Sequence, residues 1–108
     1  MAVNDAFVVS VRFVDPGDSA IVDGSSSETG AANITELAGQ TDATIYREYD
    51  VDGDGTFSPS HQIDERVGSW HSQGNDLLVS TREGVRLRVE NTGSNTRDFS
   101  FTGYEVDN

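Results

Sequence analysis

The sequence predicts an all-β chain, a single Greek-key β-sandwich domain spanning residues 1–108. Two observations carry this. Apolar residues recur with a period of two, as half-buried strands require, and nowhere with a sustained helical period. Turn-forming residues break the chain at short intervals into about eight short strands, the spacing of sandwiches and barrels.

The elements follow in order. Phe7, Val9, Val11 and Phe13 alternate with Val8, Ser10 and Arg12, and Asp15-Pro16-Gly17-Asp18 closes the strand as a turn. Ala20-Ile21-Val22 is a short second strand. Gly24 to Ala32, rich in Ser and Gly, reads as a flexible loop. Asn33 to Leu37 fits a strand or a short helical turn. Ala43 to Tyr49 is a strand with Ile45, Arg47 and Tyr49 on one side, Tyr46 and Glu48 on the other. An acidic glycine-rich loop follows, then strands at Val67 to His71 and Leu77 to Thr81. Glu83-Gly84 makes a tight turn. Val85, Leu87 and Val89 alternate with Arg86, Arg88 and Glu90, and Asn91 to Asn95 turns again. Phe99 and Phe101 then lead to Tyr104 and Val106. Val85, Leu87, Val89, Phe99 and Phe101 are the expected core.

Composition restricts the function classes. Seven arginines and no lysine face nineteen Asp and Glu, for a net charge of -12 and a pI near 4.2. Such a surface suits very high salt. Carboxylates hold water and cations, and at molar salt a Debye length of about 3 Å screens their mutual repulsion. The composition resembles that of proteins of haloarchaea and their viruses. Arg82, Arg86 and Arg88 cluster, but Glu83 and Glu90 flank them, so no nucleic-acid partner is expected. No apolar run approaches the roughly 20 residues of a membrane span, and no membrane partner is expected. Met1 to Asp5 show neither a basic nor an apolar leader segment, so no secretory signal is expected. The absence of cysteine excludes disulfides and thiolate metal sites.

Gly84-Val85-Arg86-Leu87-Arg88-Val89-Glu90-Asn91-Thr92-Gly93, followed by Arg97-Asp98-Phe99-Ser100-Phe101-Thr102-Gly103-Tyr104, resembles one part of the cupredoxin fold. A turn glycine opens a strand of alternating apolar residues, and an Asn-containing turn closes it. The resemblance covers about a quarter of the chain and implies a cupredoxin-like sandwich. Jelly-roll and immunoglobulin-like sandwiches use similar hairpins and stand as alternatives. Where that family places its first ligand histidine, this chain has Arg97-Asp98. A blue-copper site needs a thiolate and two imidazoles, so the resemblance implies the scaffold without copper.

Asp50-Val51-Asp52-Gly53-Asp54-Gly55-Thr56-Phe57-Ser58 resembles the calcium loop of EF-hands. Asp50, Asp52 and Asp54 supply carboxylates at alternate positions, Thr56 a backbone carbonyl, and Ser58 the water-bridged position. The twelfth position, normally a bidentate Glu, is His61, and Asp64 or Glu65 are substitutes. One calcium or magnesium ion is the expected cofactor. The alternative is a solvated Asp-Gly turn.

Catalysis is not expected. Ser69 and Ser72 adjoin Trp70-His71, but neighbouring strand residues point to opposite faces. No Gly-x-Ser-x-Gly elbow is present. Trp70 reads as a core anchor. Asn33-Ile34-Thr35 is a chance sequon.

By elimination the expectation is a non-enzymatic structural protein: a virion component of a haloarchaeal virus, assembled in the host cytoplasm. Capsid decoration, a turret and a tail-associated position all fit. The expected partners are other virion or surface subunits, with homo-oligomers included. Tyr46, Phe57 and Tyr104 are the interface candidates, because molar salt leaves association to apolar and aromatic contacts. The alternative is a cytoplasmic or cell-surface binding module of cupredoxin-like fold, carbohydrate-binding and calcium-stabilised.

Overall fold

A computed structural model describes residues 3–58, 60–67, 70–71 and 77–107; for residues 61–67, 70 and 71 it describes the backbone. The described chain is an all-β sandwich. Its strands are β1 (Ala6–Val14), β2 (Ser19–Val22), β3 (Ala31–Ala38), β4 (Asp42–Tyr49), β5 (Ser60–Val67), β6 (Trp70–His71), β7 (Leu77–Ser80), β8 (Val85–Asn91) and β9 (Arg97–Glu105).

The pairing is nested. β1 pairs β9, β2 pairs β8, β3 pairs β6 and β7, and β4 pairs β5, all antiparallel. Two further ladders, β3 with β9 and β4 with β8, knit these pairs into two layers. The ladders join into one nine-stranded sheet, β1-β9-β3-β7-β8-β4-β5, with β2 added at β8 and β6 continuing β7 along β3; it folds over as the two layers β1-β9-β3-β7 and β2-β8-β4-β5. This nesting of first with last and second with next-to-last is the jelly-roll form of the Greek-key sandwich. Ser80 also pairs Val85, so β7 joins both layers and nearly closes the sandwich on that side.

The core lies between the layers. Val85, Leu87 and Val89 all point inward along β8, at most 5% exposed, while Arg86, Arg88 and Glu90 alternate outward. Phe99, Phe101, Ile34 and Ile45 fill the centre and are also buried. Gly39 is forced by this packing, because a Cβ there would meet the Phe99 ring at 2.4 Å.

Asn91 locks one end. Its residue is 0% exposed. Its amide Nδ2 donates to the Val14 and Asn95 carbonyls, each at 2.9 Å, and its Oδ1 accepts from the Gly93 N–H at 2.9 Å. Its backbone accepts from the Gly17 N–H at 2.8 Å and donates to Asp18 at 2.9 Å. The side chain thus ties the end of β1 to the β8–β9 turn, while the backbone holds the β1–β2 turn.

Three sequence expectations are corrected. Phe13 does not continue the inward stripe of β1. A bulge between Val11 and Val14 leaves Phe13 at φ 58 and 75% exposed, and Val14 takes the buried position. The loop expected over Gly24 to Ala32 ends earlier: Gly24–Ser26 form a 3-10 turn capped by Asp23, and Ala31 and Ala32 are buried in β3. The stretch expected as loop before Val67 contains β5, and Val67 and His71 fall in two separate strands. The Ser60–Val67 sequence is polar because β5 ends the sheet, pairing β4 alone among the described residues.

Candidate functional site

The outer face of the β4–β8 ladder carries a connected network of polar and aromatic side chains. Its register sets Tyr46 opposite Arg88 and Glu48 opposite Arg86. Cross-strand partners on one face stand close enough to bond. Arg86 Nε donates to Glu48 Oε1 at 2.9 Å, and Arg88 Nε to Oε2 at 2.8 Å. The Ser60 hydroxyl also donates to Oε2 at 2.8 Å. Each guanidinium in turn covers an aromatic ring: Arg86 lies 3.9 Å from the Phe57 centroid and Arg88 4.1 Å from that of Tyr46. Such stacking is attractive. Arg88 extends the network to Ser19 at 3.0 Å.

Glu48 is therefore buried although it sits on an outward-facing register position, with its side chain 6% exposed. Burial works to raise its pKa. The bonds from Arg88, Ser60 and Arg86 outweigh burial and hold the carboxyl below its ordinary 4.5. The same pairing raises Arg88, against the opposing effect of burial. A lowered folded pKa contributes stability that is complete above 4.5 and is lost as pH falls through the folded value. Glu48→Gln is expected to cost about 2–3 kcal/mol at pH 7, since both arginines keep some contact with water. The difference from the native chain should shrink at pH 3. Denaturant unfolding at both pH values and constant salt measures it; a pH-independent difference would contradict the charge-paired role.

The three interface candidates divide. Tyr46 and Phe57 are brought together as shelves under the arginine pair, both half-buried. Tyr104 lies in β9 of the other layer, where Asn33 Nδ2 donates to its hydroxyl at 3.1 Å.

The acidic loop closes on itself. Both Asp50 oxygens accept backbone N–H groups, from Asp54 at 3.1 Å and Gly55 at 2.9 Å. Asp54 accepts from the Thr56 N–H at 2.9 Å. Its root is pinned where the Asp50 N–H donates to Gly84 at 2.8 Å. Asp52, Asp54, Thr56 and Ser58 are exposed. Among the described residues no three His, Asp or Glu side chains gather as a metal-holding group. His61, Asp64 and Glu65 lie in β5, where the side chains are outside the described residues, as are those of Trp70 and His71 in β6; Ser69 and Ser72 are outside altogether.

A second buried carboxylate escaped the sequence reading. Glu105, 4% exposed, accepts the Ser27 hydroxyl and, at 3.1 and 3.0 Å, the Thr29 N–H and hydroxyl. Burial opposes its ionisation, but these bonds prevail and lower its pKa. It fastens the Gly24–Gly30 loop to the end of β9. The local signal, a Ser-Ser-Ser-Glu-Thr run, shows hydrogen-bonding capacity but not its distant acceptor.

No family model matches the chain, and a comparison with curated proteins gave no match.

Proposed function

We propose that the protein is a non-enzymatic structural module, a virion component of a haloarchaeal virus serving as capsid decoration, turret or tail-associated subunit. The observation that carries this reading is the jelly-roll order of the ladders, an architecture that recurs in capsid shells. The charge of -12 without lysine supports the halophilic setting. Val8 and Ile21, 65% and 43% exposed, give the β1 and β2 region apolar surface for subunit contacts. One calcium or magnesium ion at Asp50, Asp52, Asp54, Thr56 and Ser58 belongs to the same reading, and calorimetric titration with calcium tests it.

The deciding experiment is sedimentation of the purified protein in 0.1 and 2 M salt, with and without virus particles. The melting temperature should rise steeply across that range as screening relieves carboxylate repulsion. At 2 M salt the protein should form closed symmetric oligomers or co-sediment with particles. A strict monomer that ignores particles overturns the virion role, and a flat melting temperature overturns the halophilic one.

A further inference from the structure

Phe13 combines a strained backbone with an exposed aromatic ring. Two non-glycine residues among those described have positive φ, Asn4 at 76 and Phe13 at 58. Asparagine visits that region readily; a bulky aromatic residue does so only when its surroundings impose it. Here the imposition is visible. The bulge spends one extra residue between Val11 and Val14, and the Phe13 N–H donates to Asp98 Oδ1 at 2.9 Å. The ring gains little from folding, being 75% exposed. A glycine would hold the same turn without strain. Strain that the fold does not need points to use outside the fold.

Beside the ring lies an open recess of about 420 Å³, lined by Phe13, Gly39, Gln40, Thr96, Arg97 and Asp98, within the size range of small-molecule sites. Thr96 is committed to Asp15 at 2.5 Å. Gln40, Arg97 and Asp98 bring donors and acceptors to the lining of the same recess.

We propose that this recess binds a neutral pyranose sugar. The flat ring suits the apolar C–H face of a pyranose, and planar amide, guanidinium and carboxylate groups suit adjacent hydroxyls. Arg97 and Asp98 cancel in charge, so the site favours an uncharged ligand. In molar salt the net charge of -12 is screened beyond a few ångströms, so it neither attracts a cation nor repels an anion there, and the balanced lining decides. The site stands independently of the assembly reading, and within that reading it makes the module a reader of surface glycans.

The test is saturation-transfer NMR in 2 M salt with methyl pyranosides of glucose, galactose, mannose and N-acetylglucosamine at about 10 mM, within the millimolar range of weak binding. At least one should bind, with saturation strongest on its ring C–H protons. Phe13→Gly should weaken binding at least tenfold while raising the melting temperature, and Phe13→Trp should retain binding. Absence of binding to the native chain, or binding untouched by Phe13→Gly, overturns the proposal. A lower melting temperature in Phe13→Gly also overturns it, because Phe13 is then a residue of the fold. A native oligomer that Phe13→Gly dissociates, with no sugar signal, overturns it too and makes Phe13 a subunit contact, leaving the assembly reading intact.

Discussion

Leu87→Ala should destabilise the protein by about 2–5 kcal/mol, the range for truncating a buried leucine. Leu87 is 1% exposed at the middle of β8, opposite Arg47 of β4 on one side and Val22 of β2 on the other. Strands hold it from both flanks, so the cavity left by three lost carbons has little means to collapse. That favours the upper half of the range. For a domain of this size each kcal/mol shifts the melting temperature by roughly 4–8 °C, so the loss should exceed 10 °C. The effect should be most severe in dilute buffer, where carboxylate repulsion has already consumed part of a reserve of about 5–15 kcal/mol. Thermal melts of both chains in 0.1 and 2 M salt measure it. A shift under 3 °C in 2 M salt would falsify the placement of Leu87 at the centre of the core.

The β8–β9 part of the core was legible because its signal is local. Val85, Leu87 and Val89 alternate without interruption, and the period alone states which face is buried. Phe13 shows where periodicity stops. Nothing in Val11-Arg12-Phe13-Val14 announces the extra residue that turns the aromatic outward, since the bulge is fixed by the pairing of β1 with Arg97 and Phe99. β5 was hidden for another reason. A charged edge strand lacks the apolar alternation that marks its interior neighbours.

The candidate site divides along the same line. Alternation places Tyr46 and Glu48 on one side of their strand and Arg86 and Arg88 on the outside of theirs, as the structure does. Their meeting depends on the register that sets Glu48 against Arg86. Register belongs to the pair of strands and is invisible in either alone. The acidic loop posed the opposite problem. Its spacing supplies oxygens for a cation, but the same spacing lets Asp50 accept the N–H groups of Asp54 and Gly55. Short polar side chains compete for nearby backbone donors.

Asn91→Ala should cost about 3–5 kcal/mol, as large an effect as a core truncation although few apolar atoms are lost. The variant leaves the Val14 and Asn95 carbonyls and the Gly93 N–H without their partner. A buried polar group left unsatisfied costs about 1–3 kcal/mol, and water entering at the turns recovers part of that. Asn91→Asp separates the contributions. It preserves shape and keeps an acceptor for Gly93, but it replaces a donor by a carboxylate facing two carbonyl oxygens. At pH 7 it should be at least as damaging as alanine. At pH 4 the carboxyl should take up a proton, because burial and the carbonyls both disfavour its charge. One donor then returns, and the deficit against the native chain should narrow. The raised folded pKa means that this variant loses stability as pH rises, opposite in sign to the Glu48 dependence. Denaturant midpoints at pH 4 and 7 in constant salt read both outcomes. An Asn91→Asp chain as stable as the native one at pH 7 would show that the end of β1 and the β8–β9 turn are held together by something other than this amide.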